Sequence, residues 1–466
     1  MDAMQEDLQL ILLCGTKAAL SKKQYKFSII SKFMTMLHDN TKKTAKKIKK
    51  KKAKARVPVR VVTQTPLTIQ DVFNAVKPLG VTDGSILTAM LAVYVSTFLG
   101  KSDPLWLMVV GNPSSNKTTL VDLLKYLDDV YRLDTMTSNP FSSGQREKEK
   151  PKDLLPLIDG KCFVIKEYGT IFGRSDEMVK QLISDLVAIY DGEYSKHSPT
   201  RGTVRYKATF SHIGCVTPSA LSSRQRYMNA VGARFMFLKV PSLSVKEKEE
   251  NFGKIWGSQS SLNKKKIAKV VGEFCLQLKE KVTTGLQIEF SSEIKSKLNN
   301  LALLMAHARG IVVTDKVTFN NEGGEKVVHY EASEIQIEEP FRALKQIIKM
   351  ARALAIVFGN SQIADDELSI VRQIVLSSMP VRRADVLKVF EKGNVFTATK
   401  ASDLLDRNYR TVKRNLDELV CLEVLKSEKG ANDKARTYTL MPKFVEIFNP
   451  PDVTREEVVT LFDSEK

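Results

Sequence analysis

The stretch WLMVVGNPSSNKTTLVDLL, Trp106–Leu124, contains residue types that bind phosphate at the spacing such binding needs. A buried apolar run precedes Gly111, and Lys117 and Thr118 open the helix that follows. In such a loop, backbone N–H groups surround the phosphates, the lysine neutralises the β and γ charges, and the hydroxyl binds magnesium. We therefore predict an ATP site with Mg²⁺, formed by Gly111, Asn112, Pro113, Ser114, Ser115, Asn116, Lys117, Thr118 and Thr119.

Asn116 stands where phosphate loops usually have a second glycine. Glycine suits that place because it adopts positive φ without strain. Asparagine is among the other residues that most readily tolerate this conformation. Asn116 is thus compatible with a working loop, and the alternative is a chance match.

A second candidate is the strand end in GKCFVIKEYGTIF. ATPases of this kind place magnesium-binding and water-activating carboxylates there, so we expect Glu167 to be catalytic and to share the metal with Thr118. The usual ending is Asp then Glu, but Lys166 occupies the first place. The lysine removes one magnesium carboxylate, unless Glu167 both binds the metal through water and activates the attacking water. The alternative is that Glu167 is an ordinary solvated residue. Two carboxylates are candidate substitutes: Asp191 and Glu193.

Two further residues lie next to apolar runs. Thr217 follows FSHIGCV and can hold the attacking water against the γ-phosphate. Arg234 precedes FMFLKV and can reach a neighbouring subunit's γ-phosphate, where it would stabilise transition-state charge. The alternative for Arg234 is a surface salt bridge. If it does act in a neighbouring site, the protein is an oligomer.

The elements that must position these residues alternate between short apolar runs and helical periods. LWLMVV, KCFVIK, HIGCV and RFMFLKV predict buried strands between helices, which is typical of an α/β fold with a parallel sheet. Thr68 followed by Asp71 predicts a capped helix start. The polar stretch NNEGGEKVVHYEASEIQIEE predicts a surface hairpin within a helical region.

Six parts are predicted along the chain: 1–40, a small helical segment; 41–65, a basic linker; 66–241, the P-loop ATPase core; 242–380, a helical lid; 381–447, a C-terminal domain; and 448–466, a tail. The length of 466 residues suits two to four domains.

The formal net charge is +19, from 72 basic and 53 acidic residues. Ten of the basic residues lie in 42–56, and the remainder is still near +9. Both this tract and the body should therefore be attracted to a polyanion such as DNA, and the alternative for the tract is a solubilising, nuclear-targeting or linker-like segment.

Five scattered cysteines without a CxxC pair argue against a zinc site and against a disulfide framework, and they fit a reducing compartment. The longest apolar run, Ile86–Gly100, is too short for a membrane span, and we expect a buried helix there. No N-terminal signal peptide is visible. These features predict no membrane association and a location in the cytoplasm or another DNA-containing compartment inside the cell.

Together these segments resemble the AAA+ ATPases, most closely the minichromosome maintenance (MCM) type of replicative helicase and related ATPases of phages and mobile elements. MCM loops also lack the second glycine and begin Gly-Asp-Pro, where this chain has Gly111-Asn112-Pro113. The acidic strand of MCM proteins ends in Asp-Glu-Phe, where this chain has Lys166-Glu167-Tyr168. Their first sensor is Asn-Pro, where this chain has Thr217-Pro218. Their arginine finger lies in Ser-Arg-Phe, where this chain has Ala233-Arg234-Phe235. Related phage proteins with a VIK-acid-aromatic strand end would make Lys166 a subfamily feature.

The resemblance covers about residues 66–380 and implies an AAA+ core with a lid and a homo-hexameric assembly. It gives Arg342, at the start of FRALKQIIKMARALA, the place of a second sensor arginine.

The stretch IYDGEYSKHSPTRGTVRYKATF predicts a β-hairpin from its SPTRG turn. In MCM-type helicases a hairpin at this place grips single-stranded DNA in a central channel, and the alternative is a solvated hairpin without a ligand. Its basic residues are Lys196, His197, Arg201, Arg205 and Lys207.

The C-terminal domain predicts three helices followed by a strand–turn–strand unit, which together make a winged helix. Thr397 or Thr399 would cap the second helix. The third helix, in NYRTVKRNLDELVCLEVL, would contact duplex DNA in the major groove. The residues predicted to make that contact are Arg410, Lys413 and Arg414. The alternatives are a protein–protein element or a regulator of the ATPase.

The chain departs from MCM proteins because too few residues precede the core for their N-terminal collar, so the basic tract is the candidate DNA-binding arm in its place. The sequence predicts an ATP-dependent DNA helicase or translocase acting in replication, of a virus or mobile element. The alternatives are a DNA-binding AAA+ scaffold and a nucleotide-switch regulator, both with weak or absent hydrolysis.

Overall fold

A computed structural model describes residues 66–81, 83–137, 139–142, 153–199, 201–224, 234–256, 264–320, 326–428 and 435–449. The predicted N-terminal helical segment, the basic linker and the predicted tail beyond residue 449 lie outside the described residues.

The first half of the described chain alternates helices and strands. In order these are α1 (Ile69–Val76), α2 (Ser85–Ser96), β1 (Trp106–Val110), α3 (Lys117–Asp122), β2 (Val130–Leu133), α4 (Leu155–Ile158), β3 (Cys162–Ile165), α5 (Gly169–Phe172), α6 (Asp176–Tyr190), β4 (Glu193–Ser198), β5 (Gly202–Lys207), β6 (Ser211–Val216), α7 (Pro218–Ser223), β7 (Phe235–Lys239) and α8 (Val245–Trp256). Thr68 caps α1 in a capping box with Asp71, as the sequence predicts.

Five parallel strands form the central sheet, in the order β2-β3-β6-β1-β7. The four predicted strands are all present, whereas β2, with the sequence VYRL, was not predicted. The α/β prediction with a parallel sheet is confirmed, and this arrangement is compatible with a P-loop-like core. Because neighbours run parallel, the carboxyl ends of all five strands meet at one edge of the sheet.

The three central strands, β3, β6 and β1, are buried on both faces, whereas the edge strand β2 is only partly buried. Along β1, the side chains of Trp106 and Met108 enter one apolar core, while those of Leu107 and Val109 enter the other. This is the two-residue alternation of a strand, and it gives the near-continuous apolar sequence expected of a covered parallel sheet.

α2 carries the long apolar run and is buried along nearly its whole length. The prediction of a buried helix for this run is therefore confirmed. In the part of the chain that the structure describes, no helix is both long and apolar enough to cross a membrane.

The second half is mainly helical. It comprises α9 (Lys264–Thr283), α10 (Ser292–Arg309), β8 (Ile311–Asn320), β9 (Lys326–Gln336), α11 (Phe341–Phe358), α12 (Asp365–Ser377), α13 (Val381–Leu387), β10 (Val395–Thr397), α14 (Ala398–Leu405), α15 (Tyr409–Cys421), β11 (Leu425–Glu428), β12 (Thr437–Leu440) and α16 (Pro442–Phe448). The strands β8 and β9 form the predicted surface hairpin, which begins earlier in the chain than the polar stretch that signalled it.

From α13 onwards the chain has three helices and a three-stranded sheet in the order β10-β12-β11, followed by α16. Thr397, and not Thr399, caps α14. The three predicted helices and the two strands after them are confirmed, and the predicted turn between those strands lies outside the described residues. The strand β10 and the helix α16 were not predicted.

This C-terminal unit shares one apolar core with the helices before it. Buried Arg383 on α13 donates to the carbonyls of Ala308 (3.0 Å) and Gly310 (2.6 Å), and its Nε donates to Glu418 (3.0 Å). The His307 ring donates from Nδ1 to the Leu422 carbonyl at 2.8 Å. The end of α10 is thus fixed to the C-terminal unit by buried hydrogen bonds.

Candidate nucleotide site and opposing arginine cluster

The phosphate loop leaves the carboxyl end of β1. The Gly111 N–H donates to the Val216 carbonyl at 3.0 Å, which places the loop beside the end of β6. A Cβ at Gly111 would lie 2.6 Å from Ser115 Oγ and 2.8 Å from a Val240 methyl group, so any other residue would displace these side chains. Ser114 (φ 65°) and Asn116 (φ 60°) both adopt the left-handed conformation, so the backbone curls tightly between Gly111 and α3.

Asn116 does more than tolerate positive φ. Its Nδ2 donates to the carbonyls of Leu79 and Gly80, each at 3.2 Å. These two residues belong to the connection between α1 and α2, so the Asn116 amide ties the phosphate loop to a neighbouring part of the fold. A glycine would supply the backbone conformation without this tie.

Lys117 is the first residue of α3 and only 4% exposed. Its Nζ donates to the Asn112 carbonyl at 3.0 Å, so the ammonium group lies over the loop it follows. Ser115 Oγ is buried there and has no hydrogen-bond partner among the residues that the structure describes. A buried cation, a buried hydroxyl without a partner and a left-handed loop together fit a polyphosphate, because each polar group would gain a partner from it.

The acidic strand end and the polar strand end lie beside this loop. Cys215 on β6 connects them: its Sγ is 4.0 Å from the Lys117 carbonyl, and its own carbonyl accepts from the Tyr168 N–H at 2.8 Å. Burial raises the pKa of Cys215 to about 12, and the charges of Lys117 and Glu167 reach it with opposite effect. Lys117 and Glu167 therefore flank the same buried thiol.

Glu167 and Thr217 each accept a hydrogen bond at the start of a short helix. Glu167 Oε1 accepts from the Gly169 N–H at 3.2 Å, and Thr217 Oγ1 accepts from the Ala220 N–H at 3.4 Å. The two helix starts are neighbours, since the Cβ position of Gly169 lies 4.0 Å from the Cβ of Ala220. The fold thus brings the predicted catalytic acid and the predicted water-holding residue to one place.

A buried aromatic pair fixes the acidic strand end. The Tyr168 hydroxyl donates to His212 Nε2 at 2.7 Å, and His212 Nδ1 donates to the Phe163 carbonyl at 2.8 Å. Burial lowers the pKa of His212 to about 3, so the ring is neutral. Gly214 leaves room for the Tyr168 ring, since a Cβ there would lie 2.5 Å from it. His212 did not stand out in the sequence because it sits inside an apolar run.

Lys166 points to α3. Its Nζ lies 3.5 Å from Asp122 Oδ2, and Arg132 Nη1 lies 3.2 Å from Asp122 Oδ1. Lys166, at the place where the sequence comparison expects a magnesium carboxylate, is therefore paired with a carboxylate of α3. Of the predicted metal ligands, the Thr118 hydroxyl and the Glu167 carboxylate are both oxygen donors, which is the donor type Mg²⁺ prefers.

Arg234 and Arg342 meet on one carboxylate. Arg234 Nη2 lies 3.1 Å from Asp191 Oδ2, and Arg342 Nη2 lies 3.7 Å from Asp191 Oδ1. Both guanidinium groups lie over the Tyr190 ring, at 5.8 and 5.7 Å from its centroid. Gln346 Nε2 donates to the Tyr190 hydroxyl (2.8 Å) and to the Arg234 carbonyl (3.1 Å). We call these residues the arginine cluster.

The arginine cluster is at the other edge of the sheet from the phosphate loop. Arg234 directly precedes Phe235, which pairs with Trp106, the first residue of β1, whereas the loop follows Val110, the last. A strand of this length spans about 16 Å. Neither arginine therefore lies at the phosphate loop of its own chain.

The same geometry bears on the two suggested substitutes for a magnesium carboxylate. Asp191 belongs to the arginine cluster, and Glu193 pairs with Lys207 (2.8 Å) on an exposed strand. Because both belong to the amino edge and the inserted hairpin, they do not lie beside the phosphate loop, and the suggestion was wrong. The sequence could not reveal this, since the position of Asp191 depends on the strand order.

The predicted hairpin is present as β4 and β5, with its turn at Gly202 (φ 74°). Two of its five predicted DNA contacts face the body of the protein. Lys196 Nζ donates to Asn139 (3.0 Å) and lies 3.4 Å from Asp185, while Arg201 Nη1 donates to Asp153 at 2.5 Å. The outer face carries the other three: His197, Arg205 and Lys207.

Of the three predicted DNA contacts on α15, two form ion pairs within the helix and the third is exposed. Lys413 pairs with Asp417 (2.6 Å) and Arg414 with Glu418 (3.0 Å), one helical turn away in each case. Arg410 is exposed in the first turn of the helix. Arg410 is thus the most available of the three predicted contacts.

Comparison with family models and with curated proteins assigns this chain to no family. No family model matches this chain. No curated protein matches it either.

Proposed function

We propose that this protein is an ATP-driven DNA translocase or helicase of the AAA+ type, similar to the MCM helicases, that acts as a homo-hexamer in the replication of a virus or mobile element. One observation carries the proposal. The residues suited to hold ATP and activate water gather at the carboxyl edge of the sheet, while the two arginines suited to stabilise the transferred phosphate gather at the opposite edge.

A catalytic centre divided in this way is complete only between two copies. Copies packed head to tail would bring the arginine cluster of one against the phosphate loop of the next, and such heterologous contacts close into rings when the rotation closes. The strand order β2-β3-β6-β1-β7, with the phosphate loop on the strand between the polar strand end and the edge strand, supports the AAA+ assignment.

The chemistry proposed for each residue follows from its position. Lys117 neutralises phosphate charge, Glu167 removes a proton from the attacking water, and Thr217 holds that water. Arg234 and Arg342 leave Asp191 for the γ-phosphate of the neighbouring copy and stabilise its transition-state charge. Mg²⁺, held by Thr118 and Glu167, would neutralise charge on the β- and γ-phosphates.

The DNA-facing surface is proposed to be the outer face of the β4–β5 hairpin, with Arg205 as its main cation. Basic groups contact the phosphates of single strands, and the binding tolerates any sequence.

The C-terminal unit is proposed to be a winged helix, since it follows the order helix, strand, helix, helix, strand, strand. Its exposed Arg410 lies at the start of the helix that would enter a duplex groove.

Phosphate release, measured with and without single-stranded DNA, tests the proposal. We expect DNA to stimulate hydrolysis in the wild type. Lys117→Ala should lose ATP binding, while Glu167→Gln should keep binding and lose about 100-fold or more of the rate, which is the usual contribution of a general base. A wild type that binds ATP, hydrolyses it without DNA stimulation and unwinds no fork would contradict the translocase.

The alternative function is a DNA-binding scaffold in which bound nucleotide controls only the assembly of the copies and is not hydrolysed. The observation that favours it is the pairing of Lys166 with Asp122, because a cation occupies the place of a magnesium carboxylate. Under the translocase proposal, Lys166→Met leaves the rate of hydrolysis within about tenfold of the wild type, since Glu167 does the chemistry. ATP binding without any hydrolysis in the wild type would favour the scaffold.

A further inference from the structure

Two short helices carry Glu167 and Thr217 at their starts. α5 begins two residues after Glu167, and α7 begins directly after Thr217. With four and six residues, these helices are only about one to two turns long. Helices of this length are marginal on their own, so neighbouring groups must fix where they lie. A shift of one helix against the other changes the distance between Glu167 and Thr217.

Arg224, the residue that follows α7, bonds the far ends of these helices together. Its Nε donates to the Phe172 carbonyl at 2.8 Å, and its Nη2 donates to the Arg174 carbonyl at 2.7 Å. These carbonyls lie at or just after the end of α5, where a helix leaves its last carbonyl groups without partners in its own backbone. Nη1 pairs with Asp176, in the first turn of α6. One guanidinium group thus joins the ends of α5 and α7 to the start of α6.

The Arg224 side chain is suited to hold a fixed geometry. It is 15% exposed, so water competes little for its donors. The planar guanidinium presents its N–H groups in a rigid fork, which a lysine ammonium on its flexible stem does not reproduce. Near the starts of the two helices, the Cβ position of Gly169 lies 4.0 Å from the Cβ of Ala220. The helices are therefore in contact near their starts and bonded at their ends, which restrains sliding of one along the other.

We infer that Arg224 is a positioning residue for ATP hydrolysis, which keeps Thr217 and the water it holds at the working distance from Glu167. This inference rests on the proposed function and adds a residue that acts through the helix ends and not on ATP itself. Arg224 should therefore affect the rate of the chemical step and leave the binding of ATP unchanged. A misplacement of about 1 Å in a reacting group costs up to about 100-fold in rate.

Single-turnover hydrolysis and ATP binding, both measured on the full-length protein, test this role. We expect Arg224→Ala to hydrolyse bound ATP about 10- to 100-fold more slowly than the wild type, with an unchanged Kd for ATP. Arg224→Lys keeps the charge beside Asp176 but loses the fork, so it should recover little of the rate. The lysine variant serves the same comparison if the alanine variant does not fold. A weaker Kd with an intact single-turnover rate would contradict the positioning role.

Arg372→Ala is the matched variant outside the candidate site. Arg372 on α12 also bonds a carbonyl and a carboxylate: its Nε donates to the Ile447 carbonyl at 2.6 Å, and its Nη2 lies 2.5 Å from Glu391. Because the lost bonds are alike, both alanine variants should unfold at a lower urea concentration than the wild type. Arg372→Ala should nevertheless keep the wild-type rate of hydrolysis. An equal loss of rate in the two variants would assign the effect to general stability and overturn the positioning role.

The same measurements separate this inference from the proposed function. If the wild type hydrolyses ATP and Arg224→Ala does so at the same rate, Arg224 is not a positioning residue and the proposed function stands. If the wild type binds ATP and hydrolyses none, the proposed function fails and the positioning role fails with it.

Discussion

Asn116 combines a strained backbone conformation with two side-chain hydrogen bonds, and substitutions can separate these two contributions. Asn116→Gly keeps the conformation at no steric cost but loses the bonds to Leu79 and Gly80. We expect a loss of about 1–2 kcal/mol in the free energy of unfolding, from net hydrogen-bond energies. Asn116→Ala loses the same bonds and must also adopt positive φ, which adds about 1 kcal/mol.

Urea unfolding of the two variants measures this difference, and ATP binding shows whether it reaches the phosphate loop. Equal stability of the glycine and alanine variants would show that the left-handed conformation is not required in solution. Asn116→Ala, as the less stable of the two, should also bind ATP more weakly.

His212 gives the fold a sensitivity to acid. Its pKa is about 3 in the folded protein and 6.5 without burial, so the unfolded chain binds more protons between these values. The contribution of this group to stability is therefore complete above pH 6.5 and is lost as the pH falls towards 3, by about 1.4 kcal/mol per pH unit.

Chemical unfolding at a series of pH values tests this prediction. The double variant Y168F/H212N has no imidazole to protonate, so its stability should fall less steeply below pH 6.5. Y168F alone keeps the imidazole and should keep the steep fall. An equal pH dependence in the wild type and the double variant would assign the acid sensitivity to other groups.

At the scale of elements, the β4–β5 hairpin has an anchored face and a free face. Arg205→Ala removes a cation from the free face, so we expect weaker binding of single-stranded DNA with the fold intact. The slope of log affinity against log salt should decrease by about 0.7, the value for one phosphate contact. Fluorescence anisotropy with a labelled oligonucleotide measures both changes.

Arg201→Ala is the matched variant on the anchored face. It removes a charged hydrogen-bond partner of the buried Asp153, to which the Tyr206 hydroxyl also donates, so we expect a stability loss of about 1–3 kcal/mol. Its salt slope should match that of the wild type. The reverse pattern, with Arg201→Ala changing the slope and Arg205→Ala changing the stability, would place the DNA on the other face of the hairpin.

Local elements could be predicted from the sequence because their signals are local. Four of the five sheet strands, the helix that starts at Lys117, both hairpins and the three C-terminal helices follow from apolar runs, caps and turn residues. β2 was missed because four residues of mixed polarity give little periodicity. The inner and outer faces of the β4–β5 hairpin were not predictable, because Asp153, the partner of Arg201, lies 48 residues away and only the tertiary fold brings it close.

The candidate site likewise has a part that the sequence predicts and a part that depends on the tertiary fold. The residues of the phosphate loop are contiguous and were predicted together. The meeting of Arg234 and Arg342 on Asp191 joins three separate segments and depends on the strand order, which an apolar pattern does not specify. The pairing of Lys166 with Asp122 likewise follows from how β3 lies against α3.

At the scale of the whole molecule, a catalytic centre shared between copies can be tested by mixing. Lys117→Ala damages the phosphate loop but keeps the arginines, and Arg234→Ala does the opposite. Each variant alone should lose about 1,000-fold or more of its hydrolysis if the arginine acts as a finger. Random mixed rings should regain activity at roughly a quarter of their interfaces.

The matched control mixes Lys117→Ala with Glu167→Gln, which damage the same half of the site. That mixture should stay inactive because no interface then has an intact phosphate-loop half. Phosphate release after subunit exchange is the measurement. Recovery in the control, or none in the first mixture, would show that each chain completes its own site.

Arg383 has a consequence for how this chain can change over evolutionary time. Its bonds to the carbonyls of Ala308 and Gly310 cross from the C-terminal unit into the preceding helices, and a common core continues beneath them. A gene ending at residue 380 would leave those carbonyls without a partner and expose apolar surface. The C-terminal unit is therefore a poor candidate for exchange by recombination, and we expect it to be inherited together with the α/β core.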